Sequence, residues 1–401
     1  MNNWTKLLSL ALGAFVIGTE SYLVAGVLPA LSADLGVTLA LAGQLITAFA
    51  LTYALSSPVI AVATGGMERR RLLLWSLGAF GIFNLVAATA HTYGVLLVAR
   101  IGLGLAAGTY MPAASAYAVA TTPAAQRGRA LSIIYGGLTV ALVIGAPLGV
   151  LVGGRFGWRF NFLGIAALTV AALAGLAATL RRIVPSARIT LAERLAVARR
   201  PDVLALLGGT VLMIAGAYTI YSFLAPFLRT TTGLAGNAIA LVFFLFGLGA
   251  TAGNYLAGGA ADRIGPARVV TGVLAGLVVI FALLSLAGIF LPAGAARWVV
   301  VPLVVAWGFV GFSFPAAQQA RIAALAPSLA PITLSLNASA IYVGVSVGAV
   351  LGGLVVAHGS VPELGWMAAL CEGAALALLK LTTREPAAEP DALEEPVREA
   401  A

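Results

Sequence analysis

Charge is scarce in this chain: 9% of its 401 residues are charged, against roughly 25% in a soluble globular domain. A surface facing water cannot be covered with so few. Most of the surface must be solvated by hydrocarbon, which 61% hydrophobic residues would suit. Cysteine is nearly absent. The single Cys371 excludes an intrachain disulfide and any multi-cysteine metal site. His91 and His358 are far apart, each near the expected end of a helix, so no metal and no cofactor is assigned. No H-E-x-x-H or G-x-S-x-G constellation stands at the expected bilayer surface, which leaves an integral-membrane enzyme as a remote alternative.

What the chain does have is long apolar runs and 47 glycines. Small residues let membrane helices bring their backbones together. A span of hydrocarbon needs about 20 apolar residues. Windows of that length fall near 6–29, 40–62, 72–90, 93–118, 130–153 and 160–180, then near 203–228, 237–260, 268–291, 298–320, 332–357 and 364–381. The first run is too long for a signal-peptide apolar region and is expected to stay as the first helix. The chain therefore divides into an N-terminal six-helix bundle (1–180), a basic cytoplasmic linker (181–202), a C-terminal six-helix bundle (203–383) and an acidic tail (384–401) expected to be disordered. Thr190 and Glu193 have capping-box spacing, which predicts a short surface helix in the linker.

Cytoplasmic loops are enriched in Lys and Arg. With the N-terminus inside, that side receives Lys6, Arg69, Arg70, Arg71, Arg127, Arg129, the linker arginines, Arg263, Arg268, Arg321 and Lys380. The other side keeps Arg155, Arg159, Arg229 and Arg297. Both termini are thus expected in the cytoplasm. The net charge of +9 reflects these loops and gives no reason to expect nucleic-acid binding.

The two halves repeat. "GTYMPAASA" at 108–116 matches "GFSFPAAQQA" at 311–320, pairing Gly108 with Gly311 and Pro112 with Pro315. At the same offset, "GAPLGV" at 145–150 matches "GAVLGG" at 348–353. Two six-helix halves related by an axis along the membrane normal form a transporter architecture whose site lies near the midplane between them.

"GGAADRIGPAR" at 258–268 has the pattern G-x-x-x-D-R-x-G-x-x-R, with Gly258, Asp262, Arg263, Gly265 and Arg268 in place. Glycines allow the tight turn between two helices, and Asp262 is placed to accept hydrogen bonds from a neighbouring helix N-terminus. The run resembles the loop signature of the major facilitator superfamily. In the corresponding first-half loop, "ATGGMERRRLLL", Gly65 stands where the Asp would be and Glu68 where the later glycine would be. "LLVARIGLGLAAG" at 96–108 resembles the family's fourth-helix motif, with Arg100 as its arginine. "GLTVALVIGAPLGVLVGG" at 137–154 resembles the antiporter-type fifth-helix motif, with Gly145, Pro147 and Gly149 in register. "GTESYLVAGVLPALSADLGV" at 18–37 resembles the first helix of the twelve-helix drug:proton antiporters, including their sugar-efflux branch. The resemblance implies an all-α membrane protein of twelve helices in two pseudo-symmetric bundles. It also implies proton-driven export of small organic molecules by a monomer in a bacterial inner membrane. An uptake symporter or facilitator on the same fold is the alternative.

Independently of that resemblance, a charge at the bilayer centre costs about 2.5–3.5 kcal/mol, so intramembrane ionisable groups are functional candidates. The expected spans hold Glu20, Arg100 and Glu372. Desolvation favours the neutral form of a carboxyl, which suits Glu20 to carrying a proton. Arg100 cannot deprotonate and is expected to bias that carboxyl. Glu372, in the peripheral twelfth helix, is expected near an interface or snorkelling. Gly145 and Gly149, with Pro147 as a kink, read as a close-packed face between the two halves, and Gly344, Gly348 and Gly352 read the same way. The helices that line the cavity in this fold carry Tyr53, Tyr135, Tyr218, Tyr221, Phe246, Asn254, Trp307, Gln318, Asn337 and Tyr342 as candidate substrate contacts. Apart from Glu20 no clear acidic residue falls there, which favours neutral or weakly charged substrates.

Overall fold

The computed structural model describes residues 3–123, 126–183, 191–325 and 329–382. Hydrocarbon offers no partners to backbone amides, so long apolar segments satisfy them internally as helices. The helices are α1 (Asn3–Asp34), α2 (Leu39–Ala63), α3 (Arg69–Ala88), α4 (Tyr93–Thr121), α5 (Arg127–Val140), α6 (Ala146–Phe156), α7 (Trp158–Thr179), α8 (Leu191–Ala198), α9 (Pro201–Tyr221), α10 (Leu224–Thr232), α11 (Asn237–Ile264), α12 (Pro266–Phe290), α13 (Ala293–Gly311), α14 (Phe314–Leu325), α15 (Ala330–His358) and α16 (Leu364–Thr382). Twelve membrane-length apolar spans result, with α5 and α6 forming one span and α13 and α14 another. Among the described residues there is no strand. The short linker helix is present as α8, although the Thr190 expected to cap it lies outside the described residues, as does the acidic tail.

Three proline-dependent irregularities interrupt the spans. A wide π turn, Ala141–Gly145, joins α5 to α6. Pro147 has no N–H for the carbonyl of Val143, and its ring crowds that carbonyl, so the chain widens there. Pro226 likewise leaves Ser222 without its helical partner, and α9 breaks from α10 at Ser222–Phe223. Pro315 does the same to Gly311, between α13 and α14. Gly265, at φ 86°, makes the tight turn between α11 and α12 that its motif calls for.

The glycine faces correct one sequence expectation. Gly145 and Gly149 lie against Thr19 and Leu23 of α1, inside the first half, where an added Cβ would come within 2.7 and 2.6 Å. Gly344, Gly348 and Gly352 meet α9 in the same manner, at Ile214, Ala215 and Thr219. Each glycine series therefore seats the fifth or eleventh span on the first span of its own half, rather than joining the halves. The same run, Gly344 to Gly348, carries Ser346 within a continuous helix; it is not a strand-to-helix elbow.

Other residues join the halves, and they sit toward the end of the molecule away from the termini. Gly247 of α11 packs on the backbone of Val143 in the π turn, Gly43 of α2 on Phe223, and Gly353 of α15 beside Gln44. Nearer mid-span, Tyr53 stacks on Tyr342 at 3.5 Å between ring centroids. α11 packs against the π turn and α6, while α5, the half of that span nearer the termini, packs on α1 and α4. The two halves therefore close at one end and enclose a cleft that opens at the end bearing the termini.

Glu372 departs from its expected peripheral place. It is fully buried (0% exposed), and its Oε1 lies where a Cβ on Gly216 of α9 would come within 2.7 Å. Neither carboxyl oxygen has a hydrogen-bond partner. A side chain with no hydrogen bond to lose tolerates a neutral isostere, so Glu372→Gln is expected to change stability by less than about 1 kcal/mol. Thermal unfolding followed with a thiol-reactive dye at the buried Cys371 measures this, and a large loss would show that the carboxyl is ionised and paired.

Candidate functional site: a buried ion pair beside an aromatic cluster

α1 carries Glu20 and α4 carries Arg100. The two are 0% and 1% exposed, and Arg100 Nη1 donates to Glu20 Oε1. The guanidinium is fixed on two further sides. Its Nε donates to the carbonyl of Leu45 at 3.1 Å, and its carbon stands 4.4 Å above the ring of Phe49. Close approach of α4 to α2 permits this, since a Cβ on Gly104 would collide with the Phe49 carbonyl at 2.5 Å. A buried charge pair is tolerated when its remaining polar atoms are satisfied, and here one is not. Glu20 Oε2 has no hydrogen-bond partner, nor has the hydroxyl of the adjacent Thr19. One carboxyl oxygen is held by the arginine and the other has no hydrogen-bond partner.

Phe49 connects this pair to a set of rings. It lies 6.5 Å from Tyr53 and 6.4 Å from Tyr342. A second group centres on Tyr221, with Tyr22 at 6.2 Å, Tyr218 at 5.3 Å, Phe246 at 5.6 Å and Trp307 at 6.3 Å. Phe246 packs edge-on to Trp307 at 4.9 Å. These rings come from α1, α2, α9, α11, α13 and α15, so both halves contribute. Such a cluster suits a ligand with an apolar or ring face, and the Tyr221 hydroxyl, buried without a partner, offers it a polar handle.

Of the residues named from sequence, Tyr53, Tyr218, Tyr221, Phe246, Trp307 and Tyr342 come together here. Gln318 and Asn337 do not. Thr210 donates to Asn337 Oδ1 at 2.8 Å and accepts from Gln318 Nε2 at 3.1 Å, while Arg321 donates to Gln318 Oε1 at 2.9 Å. The two amides thus satisfy each other's neighbourhood across α9, α14 and α15. Tyr135 and Asn254 are exposed. Asp262 and Arg263 are exposed at the open end, and Asp262 has no hydrogen bond or ion pair among the described residues; the helix N-terminus expected to meet it is not in contact in this conformation. Arg268 and Arg71 are exposed, and Arg70 Nη2 donates to the carbonyl of Ala177 at 2.9 Å. Sequence reasoning missed Tyr22 and Phe49. Phe49 stands one helical turn before Tyr53, a spacing that puts both on one face.

Among the described residues no cluster of His, Cys, Asp and Glu is arranged to hold a metal ion.

The chain is 31% identical over 371 residues to YbcL of Bacillus subtilis, described as an uncharacterized MFS-type transporter, covering 92% of this chain and 93% of that one. It is 32% identical over 386 residues to the inner membrane transport protein YdhP of Escherichia coli, covering 94% and 96%. Among solved structures, a bacterial homologue of the human lysosomal transporter Spinster, inward-facing and occupied, superposes with a TM-score of 0.75 at 17% identity, over 94% of this chain and 96% of that one. A D-xylose–proton symporter does so at 0.72 and 16% identity, over 94% and 97%. The family model described as Major Facilitator Superfamily matches residues 10–207 and again 206–400, one match for each half of the repeat. The buried pair and the ring cluster thus sit in a multi-pass membrane transporter rather than an enzyme, and the chain belongs to the major facilitator superfamily.

Proposed function

We propose that this transporter exports small neutral organic molecules, such as drugs, sugars or related compounds, in exchange for protons by alternating access. The observation that carries the reading is the Glu20 carboxyl, fully buried, bound through one oxygen to Arg100 and unpartnered at the other. Protonation there neutralises the carboxylate and frees Arg100, so proton binding and the electrostatics of the cleft are one event. The aromatic cluster beside it brings no carboxylate of its own, which favours uncharged substrates over dications.

The basic loops favour a cytoplasmic position for both termini in the inner membrane, so the cleft described above opens to the cytoplasm. Residues 1–180 and 203–383 act as the rocking units, joined by 181–202, and the protein works as a monomer. One proton entering down about 100 mV yields roughly 2.3 kcal/mol, and each pH unit adds about 1.4 kcal/mol. A single carboxyl can therefore sustain a gradient on the order of 10²-fold. The motifs around Gly145, Pro147 and Gly149 and around Asp262 and Arg268 would set the packing and gating of these states.

A proton-coupled uptake symporter is the second reading, favoured by the shared fold with the D-xylose–proton symporter. Inverted vesicles with an acidified lumen discriminate the two. Sugars, nucleosides and amphiphilic antibiotics are added outside, and lumenal pH is followed by a quenched dye. An antiporter releases lumenal protons and the dye recovers; acidification that deepens with substrate entry would instead establish symport.

A further inference from the structure

A second cavity, of about 160 Å³, lies between α2, α3 and α4 at the open end of the first half. It is separate from the aromatic cluster. Ser57, Thr64 and Gly65 form one wall, Thr109 and Pro112 another, and Arg69 enters from the first turn of α3. A water occupies about 30 Å³ in the liquid, so this space holds a group of several non-hydrogen atoms.

Its charge is unbalanced. Arg69 is the one ionisable residue lining it. The side chain is half-buried and makes no ion pair or hydrogen bond among the described residues. Glu68, the neighbouring carboxylate, does not line the cavity, and as the residue preceding α3 it makes no side-chain cap to the helix. The first backbone N–H groups of α3 thus receive no side-chain cap from Glu68. The hydroxyls of Thr64 and Thr109 donate to Ile60 and Leu105 carbonyls. The loop position that holds Asp262 in the second half is Gly65 here, on the cavity wall. The first-half loop thus lacks the carboxylate that the second-half loop carries at this position.

We infer that this cavity binds a phosphate group through Arg69 and the N-terminus of α3, carried either by an anionic lipid of the adjoining leaflet or by a soluble phosphate ester. The planar guanidinium fork matches phosphate oxygens, and a helix N-terminus favours an anion.

The test uses the full chain in neutral detergent, with thermal stability read against added dioleoylphosphatidylglycerol in one arm and glycerol 3-phosphate in the other. The parent protein is expected to be stabilised by at least one of them. Arg69→Gln should weaken that binding about tenfold, while Arg71→Gln, altering an exposed neighbour, should not. Gly65→Asp is the decisive variant. Gly65 is not among the positive-φ glycines, so its backbone permits an L residue, and an aspartate on the cavity wall is expected to pair with Arg69 from within. It should keep the unliganded melting temperature and lose the ligand-induced rise. A response to the lipid alone assigns the lipid source, and a response to glycerol 3-phosphate assigns the soluble one. The inference is overturned if neither probe stabilises the parent, or if Arg69→Gln and Gly65→Asp respond as the parent does.

Discussion

Glu20→Gln is expected to abolish proton-driven accumulation and to cost about 3–5 kcal/mol of stability, the penalty for leaving one partner of a buried ion pair uncompensated. The neutral amide leaves Arg100 at 1% exposure with a charge it cannot discard. Its remaining attachments, the Leu45 carbonyl and the face of Phe49, do not replace a carboxylate. The reverse substitution is milder. In Arg100→Gln the abandoned Glu20 can take up a proton and become neutral, so the expected cost is about 1–2 kcal/mol. The double variant should recover much of the loss of Glu20→Gln, because no charge is then left behind; a double-mutant cycle gives the coupling directly. Thermal unfolding monitored at Cys371 supplies the stabilities. Transport divides two explanations that stability cannot. If Glu20 carries the proton, Glu20→Gln still exchanges substrate for substrate across proteoliposomes but no longer accumulates it against a pH gradient. Retention of gradient-driven accumulation would remove Glu20 from the coupling mechanism.

How far the sequence reached depends on what each signal measures. Hydrocarbon burial is a bulk property, and all twelve spans were legible from it. Local breaks were less so: the window at 203–228 hid the division of α9 from α10, because an apolar run does not register one lost hydrogen bond at Pro226. Glu20 and Arg100 stood out because charge deep in oil is costly, yet their contact joins residues far apart in sequence and became visible only in three dimensions. The cavity-facing residues were harder. Helices apolar all round have no amphipathic stripe, so Gln318 and Asn337 read as cavity-lining although Thr210 binds both inside the second half. The glycines of the fifth span were recognised as a packing face, but only coordinates showed that α1, and not the opposite half, fills it.

Among the glycines at which the two halves meet at the far end, Gly247 makes the closest approach to backbone of the opposite half. Gly247→Val is expected to shift the protein toward the conformation open at the end away from the termini. A Cβ at this position would lie 2.7 Å from Val143 Cα and 3.2 Å from the Leu142 carbonyl. Both are backbone atoms of the π turn in the opposite half, which no side-chain rotation relieves. Overpacking costs about 1–3 kcal/mol, and under the proposed alternating access the cost falls on one conformation only, because the halves would part there when the cleft reverses. A difference of that size changes the ratio of the two states roughly 5- to 150-fold. A cysteine pair at Gln44 and Gly353 reports the closed end, because the Cβ added at 353 lies 3.0 Å from Gln44 Nε2 and Cys371 is buried. Cross-linking of that pair should fall by about tenfold or more in Gly247→Val. Gly249→Val provides the contrast. Its Cβ would press on the Val305 carbonyl at 2.6 Å, within the same half, so it should lower the melting temperature while leaving the cross-linked fraction of folded protein unchanged. Equal cross-linking in the parent and Gly247→Val would mean that the contact between α11 and the π turn persists in both conformations and does not gate the cleft.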